Sequence, residues 1–332
     1  MSARPTRRRF IRIAAAATLA QLAGPAAGVR GEESAAAWRG LTMGTLTRIE
    51  VRDSDRARAT RVLAAAAQEI ARLEKLFTLY QADSALVRLN RDGQLDDPAF
   101  DLVRLLAEAC EFSARTGGAF DVTVQPIWQA YAAHFFAPGA DPAGPPPDVI
   151  RRAADLVGYR AIEVEPGAIR LARAGMGLTL NGIAPGYMTD RIVELLKNEG
   201  FEHALVDLGE IRAIGARSGR EPWRAGIRDP FDTQRIAMTL PLADQALSTS
   251  GGYGFRFDRD GCFHHIFDPR SGGCPHGYAS VSVLAPTATA ADALSTACYL
   301  MPLKALPAAL RAGGATRAIV VLPTGQTRVI ET

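Results

Sequence analysis

Residues 203–215, His-Ala-Leu-Val-Asp-Leu-Gly-Glu-Ile-Arg-Ala-Ile-Gly, hold two short apolar stretches with one tight turn between them. The stretches 203–208 and 211–215 have the length and composition of strands. Gly209 supplies the permissive backbone that a tight turn needs. Because one strand follows another with no helix between them, the segment favours an α+β fold over a doubly wound parallel sheet.

The same arrangement continues on both sides of this segment. Before it, we predict strands at 161–164, 168–172 and 177–181, followed by a helix over 185–199. After it, we predict strands at 223–228, 236–242 and 278–285, helices at 290–301 and 304–312, and strands at 316–321 and 326–330. We therefore expect mixed or antiparallel sheets with flanking helices in one compact unit.

The N-terminal third predicts one strand and two helices. Leu41 to Arg52 alternates apolar and polar residues as a half-buried strand does, and Asp55 to Phe77 has helical spacing of its apolar residues. A second helix over Pro98 to Arg115 ends at Gly117-Gly118, as helices commonly end at glycine. The Pro- and Gly-rich stretch 138–147 predicts a surface loop within one domain.

The composition of the 332 residues is that of a globular protein, with 48% hydrophobic and 22% charged residues. These values exclude a disordered chain, a collagen-like repeat and a small disulfide-stapled domain. The net charge of +3 comes from residues 1–30, which contain six of the 38 basic residues and no acid. Residues 31–332 carry the other 32 basic residues and all 35 acidic ones, a net charge of −3. A slightly acidic protein is not expected to bind nucleic acid.

Residues 1–30 have the layout of an export signal, with arginines first, an apolar stretch from Ile13 to Gly24 and then small residues. Thr6 to Arg12 fits the twin-arginine pattern. We therefore predict that the twin-arginine export machinery delivers the protein to the periplasm, where the signal is cleaved and residues 31–332 form the working domain. A Sec signal with surplus arginines and an uncleaved anchor are the alternatives. Since no second apolar run of about 18 residues occurs, we expect no stable insertion in the membrane.

Four cysteines, Cys110, Cys262, Cys274 and Cys298, stand far apart and form no Cys-x-x-Cys pair. That spacing gives no indication of a zinc or iron–sulfur site. In an oxidising compartment Cys262 and Cys274 could form a disulfide, whereas Cys110 and Cys298 lie among apolar residues of predicted helices.

Two segments could contact a phosphate or a metal ion. At residues 182–186 a predicted strand runs directly into a predicted helix, a geometry in which backbone N–H groups can meet a phosphate. The segment lacks the glycine patterns of a Rossmann site and of a P-loop, so a structural turn is the alternative. Asp292 and Thr296 stand four apart on one helix face and offer hard oxygen ligands suited to Mg²⁺, whereas helix capping by Thr289 or Asp292 is the alternative.

Two further segments carry titratable side chains. His264 and His265 are adjacent on a predicted strand and point to opposite faces, so they are not expected to bind one metal together. A histidine near Asp268 could serve as a general base, because its ordinary pKa near 6.5 suits proton removal at neutral pH. An ordinary hydrogen-bonded histidine is the alternative, and we interpret Asp207 to Glu210 as a tight turn without a functional role.

Taken in order, seven motifs of this chain resemble those of the ApbE family of FAD:protein FMN transferases, from about residue 41 to residue 330. They are Met43-Gly44-Thr45, Leu79 to Ser84 with Leu89-Asn90, Gly118 to Thr123, Gly182 to Asp190, Ser248 to Gly251, His265 to Gly272, and Ala291 to Thr296. None of these motifs is specific alone, but their shared order is.

The resemblance implies a phosphoryl transfer. A Thr or Ser hydroxyl of an acceptor protein attacks the FMN-side phosphorus of FAD, AMP leaves, and FMN becomes esterified to the acceptor. The implied Mg²⁺ ligands are Asp292, Thr296 and the carbonyl of Ala184. The implied catalytic residues are Asp292 and the base His265, which the neighbouring Asp268 is expected to orient.

The resemblance also implies contacts with FAD at Met43, Tyr80, Ala119, Phe120, Asp121, Thr179, Pro185 and Ile266. Tyr80 and Phe120 can stack on ring systems, and Asp121 can accept hydrogen bonds from a ribose or a base. Two positions depart from the family pattern. Pro185 stands where many members have Lys and leaves only backbone contacts there, and Thr179 stands where Asp is frequent.

Within the family, the chain most resembles the exported NosX branch. The resemblance is carried by Asn181 to Ala184, by Ser248 to Phe255 and by the leader, which lacks a lipidation cysteine. This similarity implies that the acceptor is a membrane flavoprotein resembling NosR, which takes part in nitrous oxide reduction. Two alternatives are a protein that binds or delivers FAD without turnover, and an enzyme that hydrolyses FAD to FMN and AMP.

Overall fold

One eight-stranded sheet organises the part of the chain that the computed structural model describes, residues 34–217, 219 and 221–332. Its strands are β1 (Ser34–Thr42), β2 (Thr45–Asp53), β6 (Ala204–Asp207), β7 (Ile211–Ile214), β10 (Ala246–Ser250), β11 (Ser280–Ala285), β12 (Arg317–Val321) and β13 (Thr327–Glu331). They are ordered β1-β2-β6-β7-β10-β11-β12-β13, and every neighbouring pair is antiparallel. The export signal predicted at 1–30 lies outside the described residues.

Two smaller sheets and a set of helices complete the described part of the chain. The small sheets are β3 (Gln94–Asp96), β5 (Ala168–Leu171) and β4 (Ile162–Glu165) in that order, and the hairpin of β8 (Trp223–Arg228) and β9 (Ile236–Leu242). The helices are α1 (Arg56–Phe77), α2 (Ala85–Asp92), α3 (Phe100–Arg115), α4 (Gln125–Phe135), α5 (Pro147–Ala154), α6 (Ala184–Asn198), α7 (Ala288–Leu300) and α8 (Leu306–Gly313). None of these helices is long and apolar enough to cross a membrane.

The large sheet is covered on both faces because its central strands alternate between two apolar clusters. Val283 of β11 and Val320 of β12 face the main core, which also contains the buried sides of α1, α6 and α7. The residues beside them, Leu284 and Ile319, face the other way and pack against Trp223 and the rest of the β8–β9 hairpin. The result is a layered α+β architecture, as the strand order in the sequence predicts.

Helix α7 lies in the centre of the main core, and nearly all of its residues are buried. It packs on α6, β10 and β11. The contact with α6 is unusually close at Gly186, where a Cβ atom would lie 2.4 Å from the carbonyl oxygen of Ala288 and 2.9 Å from Cβ of Asp292. Only glycine at position 186 therefore lets the two helices approach to this distance.

Asp190 of α6 fixes the start of α7. Its Oδ1 accepts a hydrogen bond from the Ala288 N–H at 2.8 Å, and its Oδ2 accepts from the Thr289 N–H at 2.8 Å and the Thr289 hydroxyl at 2.6 Å. Arg212 of β7 pairs with the same carboxylate. The buried carboxylate thus satisfies N–H groups that a helix start leaves without partners, and it ties α6, α7 and the sheet together.

Several expectations about the elements are confirmed. The paired strands at 203–208 and 211–215 form β6 and β7, with Leu205 opposite Ala213. The helices predicted over Asp55 to Phe77, Pro98 to Arg115, 185–199, 290–301 and 304–312 are present with small shifts at their ends. The Pro- and Gly-rich stretch is an exposed loop that ends where α5 begins at Pro147.

Two strand predictions are wrong. Residues 177–181 form no strand, because their backbone groups bond to the side chain of Asn90 and to the Val122 carbonyl instead of to a neighbouring strand. The single strand predicted over Leu41 to Arg52 is broken at Met43 and Gly44, whose φ angles of 48° and 83° form the turn between β1 and β2. Helices α2, α4 and α5 were not predicted.

All four cysteines are free thiols in the structure. The disulfide considered between Cys262 and Cys274 is not formed, and the Cys274 thiol instead donates to the His264 carbonyl at 3.2 Å. Burial raises the pKa of the Cys274 thiol to about 11, which keeps it protonated at neutral pH.

Replacing Asp190 by Ala should lower the free energy of unfolding by about 3–5 kcal/mol, because Arg212 loses its partner and two N–H groups of α7 lose their acceptor. Urea denaturation measures this change. Asp148→Ala is the matched control, since it removes an exposed ion pair with Arg152 and should change the free energy of unfolding far less than Asp190→Ala does. Equal losses in the two variants would contradict the role assigned to Asp190.

Candidate active site

A cleft of about 690 Å³ brings together residues that are far apart in the sequence. Its volume is within the range of pockets that hold small molecules and cofactors. The lining comes from residues 79–80 after α1, the loop 119–125, the irregular segment 179–182, the end of β10, the loop 265–269 and helix α7. Six of the seven sequence motifs, all but Met43-Gly44-Thr45, therefore contribute residues to this one cleft.

Most of the predicted site residues line the cleft. They are Tyr80, Ala119, Phe120, Asp121, Thr179, His265, Ile266, Asp292 and Thr296. Met43, Ala184 and Pro185 lie outside the lining. Pro185 nevertheless lies close to the lining. It contacts Gly209, where an added Cβ atom would be 3.9 Å from the Pro185 Cβ, and Gly209 directly precedes the lining residue Glu210. Met43 is half-buried in the β1–β2 turn, where its N–H donates to Glu74 at 2.9 Å.

The aromatic residues differ in their exposure. Tyr80 is 70% exposed, so its ring is available for stacking on a flavin or an adenine at the rim of the cleft. Phe120 is only 3% exposed and belongs mainly to the core beneath the loop. Of the two rings, Tyr80 is therefore the freer stacking surface.

Asp121 holds the 119–125 loop in place. Its Oδ1 accepts from the Thr123 N–H at 2.9 Å and the Thr123 hydroxyl at 2.5 Å, and its Oδ2 accepts from the Tyr159 N–H at 2.9 Å. Burial raises the pKa of this carboxyl, and these hydrogen bonds oppose that effect. A ribose hydroxyl would have to share oxygens that already bind the protein.

The start of α6 differs from the expected phosphate site. The Ala184 N–H donates to the Leu180 carbonyl at 2.7 Å, Pro185 has no N–H, and the Gly186 N–H donates to Asp292 at 3.1 Å. The backbone donors of this helix start are thus engaged within the protein. Residues 184–186 therefore offer no free backbone donor to a phosphate, and the alternative of a structural turn describes this part of the segment.

His265 presents one ring nitrogen for chemistry. Its Nδ1 lies 3.2 Å from the Phe255 carbonyl oxygen, which can only accept, so the hydrogen is placed on Nδ1 and the lone pair on Nε2. Desolvation lowers the pKa of His265 below 6.5, so the ring is neutral at pH 7 and able to take a proton. His264 is directed elsewhere, with its Nε2 3.0 Å from the Pro275 carbonyl.

Asp268 does not orient His265. Its Oδ1 accepts from the N–H and the guanidinium of Arg270, at 3.0 and 3.2 Å. The expected carboxylate partner is thus replaced by the Phe255 carbonyl, a backbone group ten residues away in the chain. No side-chain pattern in the sequence indicates such a partner.

Two desolvated carboxylates, Asp292 and Glu210, also line the cleft. Asp292 is 4% exposed, and burial raises its pKa from 3.8 to about 8. Burial also raises the pKa of Glu210, and the neighbouring Asp292 charge adds to that effect. Glu210 Oε2 is buried and has no hydrogen-bond partner among the described residues. The interpretation of Asp207 to Glu210 as a turn misses Glu210, because only its desolvation beside Asp292 distinguishes it from an ordinary turn carboxylate.

These groups fit a divalent cation. The carboxylates of Asp292 and Glu210 and the hydroxyl of Thr296 are the hard oxygen donors that Mg²⁺ prefers, and a cation would satisfy the unpartnered Glu210 oxygen. No set of three acidic, histidine or cysteine side chains in the described chain forms a ready metal cage. The remaining ligand positions would therefore fall to substrate phosphate and water, as is usual for Mg²⁺. Thr287, not Thr289 or Asp292, caps α7, so capping does not explain Asp292.

Comparison with known proteins agrees with this arrangement, since residues 43–320 match the ApbE family. The chain belongs to the ApbE family. It is 34% identical over 323 residues to the FAD:protein FMN transferase of Treponema pallidum, covering 87% of this chain and 84% of that protein. It is 32% identical over 235 residues to the protein of the same name from Haemophilus influenzae, covering 67% of each.

Solved ApbE structures share the fold. The ApbE protein of Thermotoga maritima superimposes with a TM-score of 0.78 at 28% identity, covering 89% of this chain and 96% of that one. The apo form of the Pseudomonas stutzeri flavinyl transferase ApbE gives a TM-score of 0.75 at 26% identity, with 92% and 96% covered. The ApbE-like α+β fold expected from the motifs is confirmed.

In the absence of divalent cations, Asp292→Asn should stabilise this ApbE protein at high pH. The raised pKa means that the folded state holds the Asp292 proton more tightly than the unfolded state, so this contribution to stability is present at low pH and is lost between about pH 4 and 8. Asn keeps the uncharged form at every pH. We expect a gain on the order of 1 kcal/mol at pH 8 and none at pH 4, measured by urea unfolding in EDTA. A variant that loses more stability at pH 8 than at pH 4 would contradict the assignment.

Proposed function

We propose that this protein is an FAD:protein FMN transferase that esterifies the FMN part of FAD to a Thr or Ser hydroxyl of an acceptor flavoprotein, with release of AMP and a requirement for Mg²⁺. The single observation that carries the proposal is the cleft that joins His265 to Asp292 and Thr296. The cleft lining thus offers both a proton acceptor and oxygen ligands for a cation. A pyrophosphate cleaved by a protein hydroxyl needs both.

The chemistry of each residue follows from its surroundings. His265 is held by the Phe255 carbonyl with its Nε2 lone pair free, and Nε2 takes the proton from the acceptor hydroxyl. The hydroxyl oxygen forms a bond to the FMN-side phosphorus, and the bond from that phosphorus to the AMP oxygen breaks. Asp292, Glu210 and Thr296 would hold Mg²⁺, which would supply neutralisation of the charge that develops on the pyrophosphate.

The flavin end of the substrate is supported by different residues. Exposed Tyr80 provides an aromatic surface at the rim, and the 119–125 loop is fixed beneath it by Asp121. Thr179 is held near this loop because its N–H donates to the Val122 carbonyl at 2.8 Å. A rigid loop of this kind orients a bound dinucleotide without having to be ordered on binding.

The acceptor and the compartment rest on the sequence. The twin-arginine pattern in 1–30 supports a periplasmic enzyme, and the similarity to the NosX branch supports a NosR-like membrane flavoprotein as the acceptor. An acceptor of this kind would present its hydroxyl to the open side of the cleft.

Mixing the purified protein with FAD, Mg²⁺ and the periplasmic domain of a NosR-like acceptor tests the proposal. The expected result is AMP together with an acceptor whose mass increases by one FMN on a Thr or Ser. AMP and free FMN at the same rate without the acceptor would establish hydrolysis instead. FAD binding with neither product would establish a delivery protein.

Replacing His265 by Ala should lower the transfer rate by about 10²–10⁴-fold while FAD affinity, measured by flavin fluorescence, stays within about threefold. In the unmodified protein the rate should fall as the pH is lowered through the pKa of His265, with a midpoint below 6.5, because the protonated ring cannot accept a proton.

His276→Gln is the matched control for this variant. His276 is exposed, and its hydrogen-bond partner in the described part of the chain is the Cys262 carbonyl. It should leave both the rate and the pH profile unchanged. A normal rate in His265→Ala would remove the proposed base.

A further inference from the structure

A chain of hydroxyl groups connects the end of β10 to α7, and two of its members, Ser250 and Thr296, line the cleft. Ser248 Oγ lies 3.1 Å from Ser295 Oγ, Ser250 Oγ lies 2.7 Å from the same oxygen, and Ser250 Oγ lies 3.1 Å from Thr296 Oγ1. Ser295 Oγ also donates to the Asp292 carbonyl oxygen at 3.0 Å. Ser248 and Ser250 stand two residues apart on β10 and therefore face α7 together.

The contacts of Ser295, Ser250 and Thr296 leave one arrangement of their protons. A carbonyl oxygen only accepts, so the single proton of Ser295 goes to the Asp292 carbonyl. The Ser248 proton is shared between Ser295 and the Glu210 carboxylate, whereas Ser295 must accept from Ser250. The proton of Ser250 is used in this way, so the contact between Ser250 and Thr296 requires Thr296 to donate.

This direction decides what Thr296 offers to the cleft. Its one proton points to Ser250, so the lone pairs of Oγ1 are left for a ligand on the cleft side. A hydroxyl that coordinates a cation must have this orientation, since a proton directed at the cation would be repelled. The backbone of Gly182 lies close to this hydroxyl, because a Cβ atom on Gly182 would be 3.2 Å from Thr296 Oγ1.

We propose that Ser250 is a positioning residue. It accepts a hydrogen bond from the Thr296 hydroxyl and donates one to Ser295, so that the lone pairs of Thr296 Oγ1 are free to bind a divalent cation. The inference rests on the proposed function for the identity of the cation. It concerns binding alone, however, and is tested without an acceptor protein. Groups that orient metal ligands in this way commonly change metal affinity by about 10–100-fold when they are removed.

A neighbouring hydroxyl pair provides the matched control. Thr249 Oγ1 lies 2.8 Å from Ser282 Oγ across β10 and β11, and Ser282 is buried. Neither hydroxyl contacts Ser295 or Thr296 in the described hydrogen bonds. Ser282→Ala thus removes one buried oxygen from the same part of the sheet without affecting the direction of the Thr296 proton.

The experiment measures the affinity of the FAD-bound protein for Mn²⁺ by electron paramagnetic resonance, together with FAD affinity in EDTA by fluorescence. We expect Ser250→Ala to weaken Mn²⁺ binding at least tenfold with FAD affinity unchanged within about threefold. Ser250→Thr, which keeps the hydroxyl, should restore Mn²⁺ binding to within about threefold. Ser282→Ala should bind Mn²⁺ as the unmodified protein does.

Two results would overturn the inference. One is wild-type Mn²⁺ affinity in Ser250→Ala, and the other is an equal loss in Ser282→Ala, which would show a general loosening of the sheet. If Ser250→Ala does not fold, Ser250→Cys replaces the oxygen by a weaker acceptor and is expected to weaken Mn²⁺ binding in the same direction. Failure of the proposed function is distinguishable, because it would appear as an unmodified acceptor with the Mn²⁺ results unaffected.

Discussion

The Asp190 carboxylate at the start of α7 is the contact on which the site depends. It accepts three hydrogen bonds from the first turn of α7 and pairs with Arg212 of β7. Because α7 carries both Asp292 and Thr296, the position of the cation ligands is set by α6 and the sheet rather than by the cleft itself. Gly186 completes the constraint, since any side chain there would push the two helices apart.

A helix that is buried on nearly all sides has an electrostatic consequence. The alanines of α7 pack closely on β10, β11 and α6, and water is excluded from Asp292. An ionised carboxylate in such a place is unfavourable unless a positive charge is near. The close packing that gives the site its rigidity therefore also leaves a carboxylate that favours either a proton or a cation.

The sequence predicts the regular elements well and the irregular ones poorly, for physical reasons. Strong periodicity in 56–77 and the direct succession of β6 and β7 are local signals, and both elements are present. Residues 177–181 have strand-like composition, but the Asn90 side chain takes the backbone groups that a strand would need. Local composition does not show such a long-range partner.

The candidate site shows the same division. Residues belonging to ordered motifs, such as Tyr80, His265 and Thr296, lie together in the cleft. The partner of His265 could not be predicted, because a backbone carbonyl has no sequence signature. Glu210 was missed for a different reason, since a carboxylate after a turn glycine is ordinary on a surface and acquires meaning only when it is desolvated beside Asp292.

The charge of the cleft explains why a net charge of +3 says little about the substrate. Among the described residues that line the cleft, Arg91 stands against Asp121, Glu210 and Asp292, and Arg91 is already paired with Asp92. A pyrophosphate that entered alone would therefore find no unpaired positive side chain among these residues. A cation held by Asp292 and Glu210 would take the place of the carboxyl protons and would supply the positive charge that the phosphates need. A bound cation must then raise the affinity for the dinucleotide, and a bound dinucleotide must raise the affinity for the cation by the same factor. The acidic residues of the cleft thereby make productive binding depend on the presence of both.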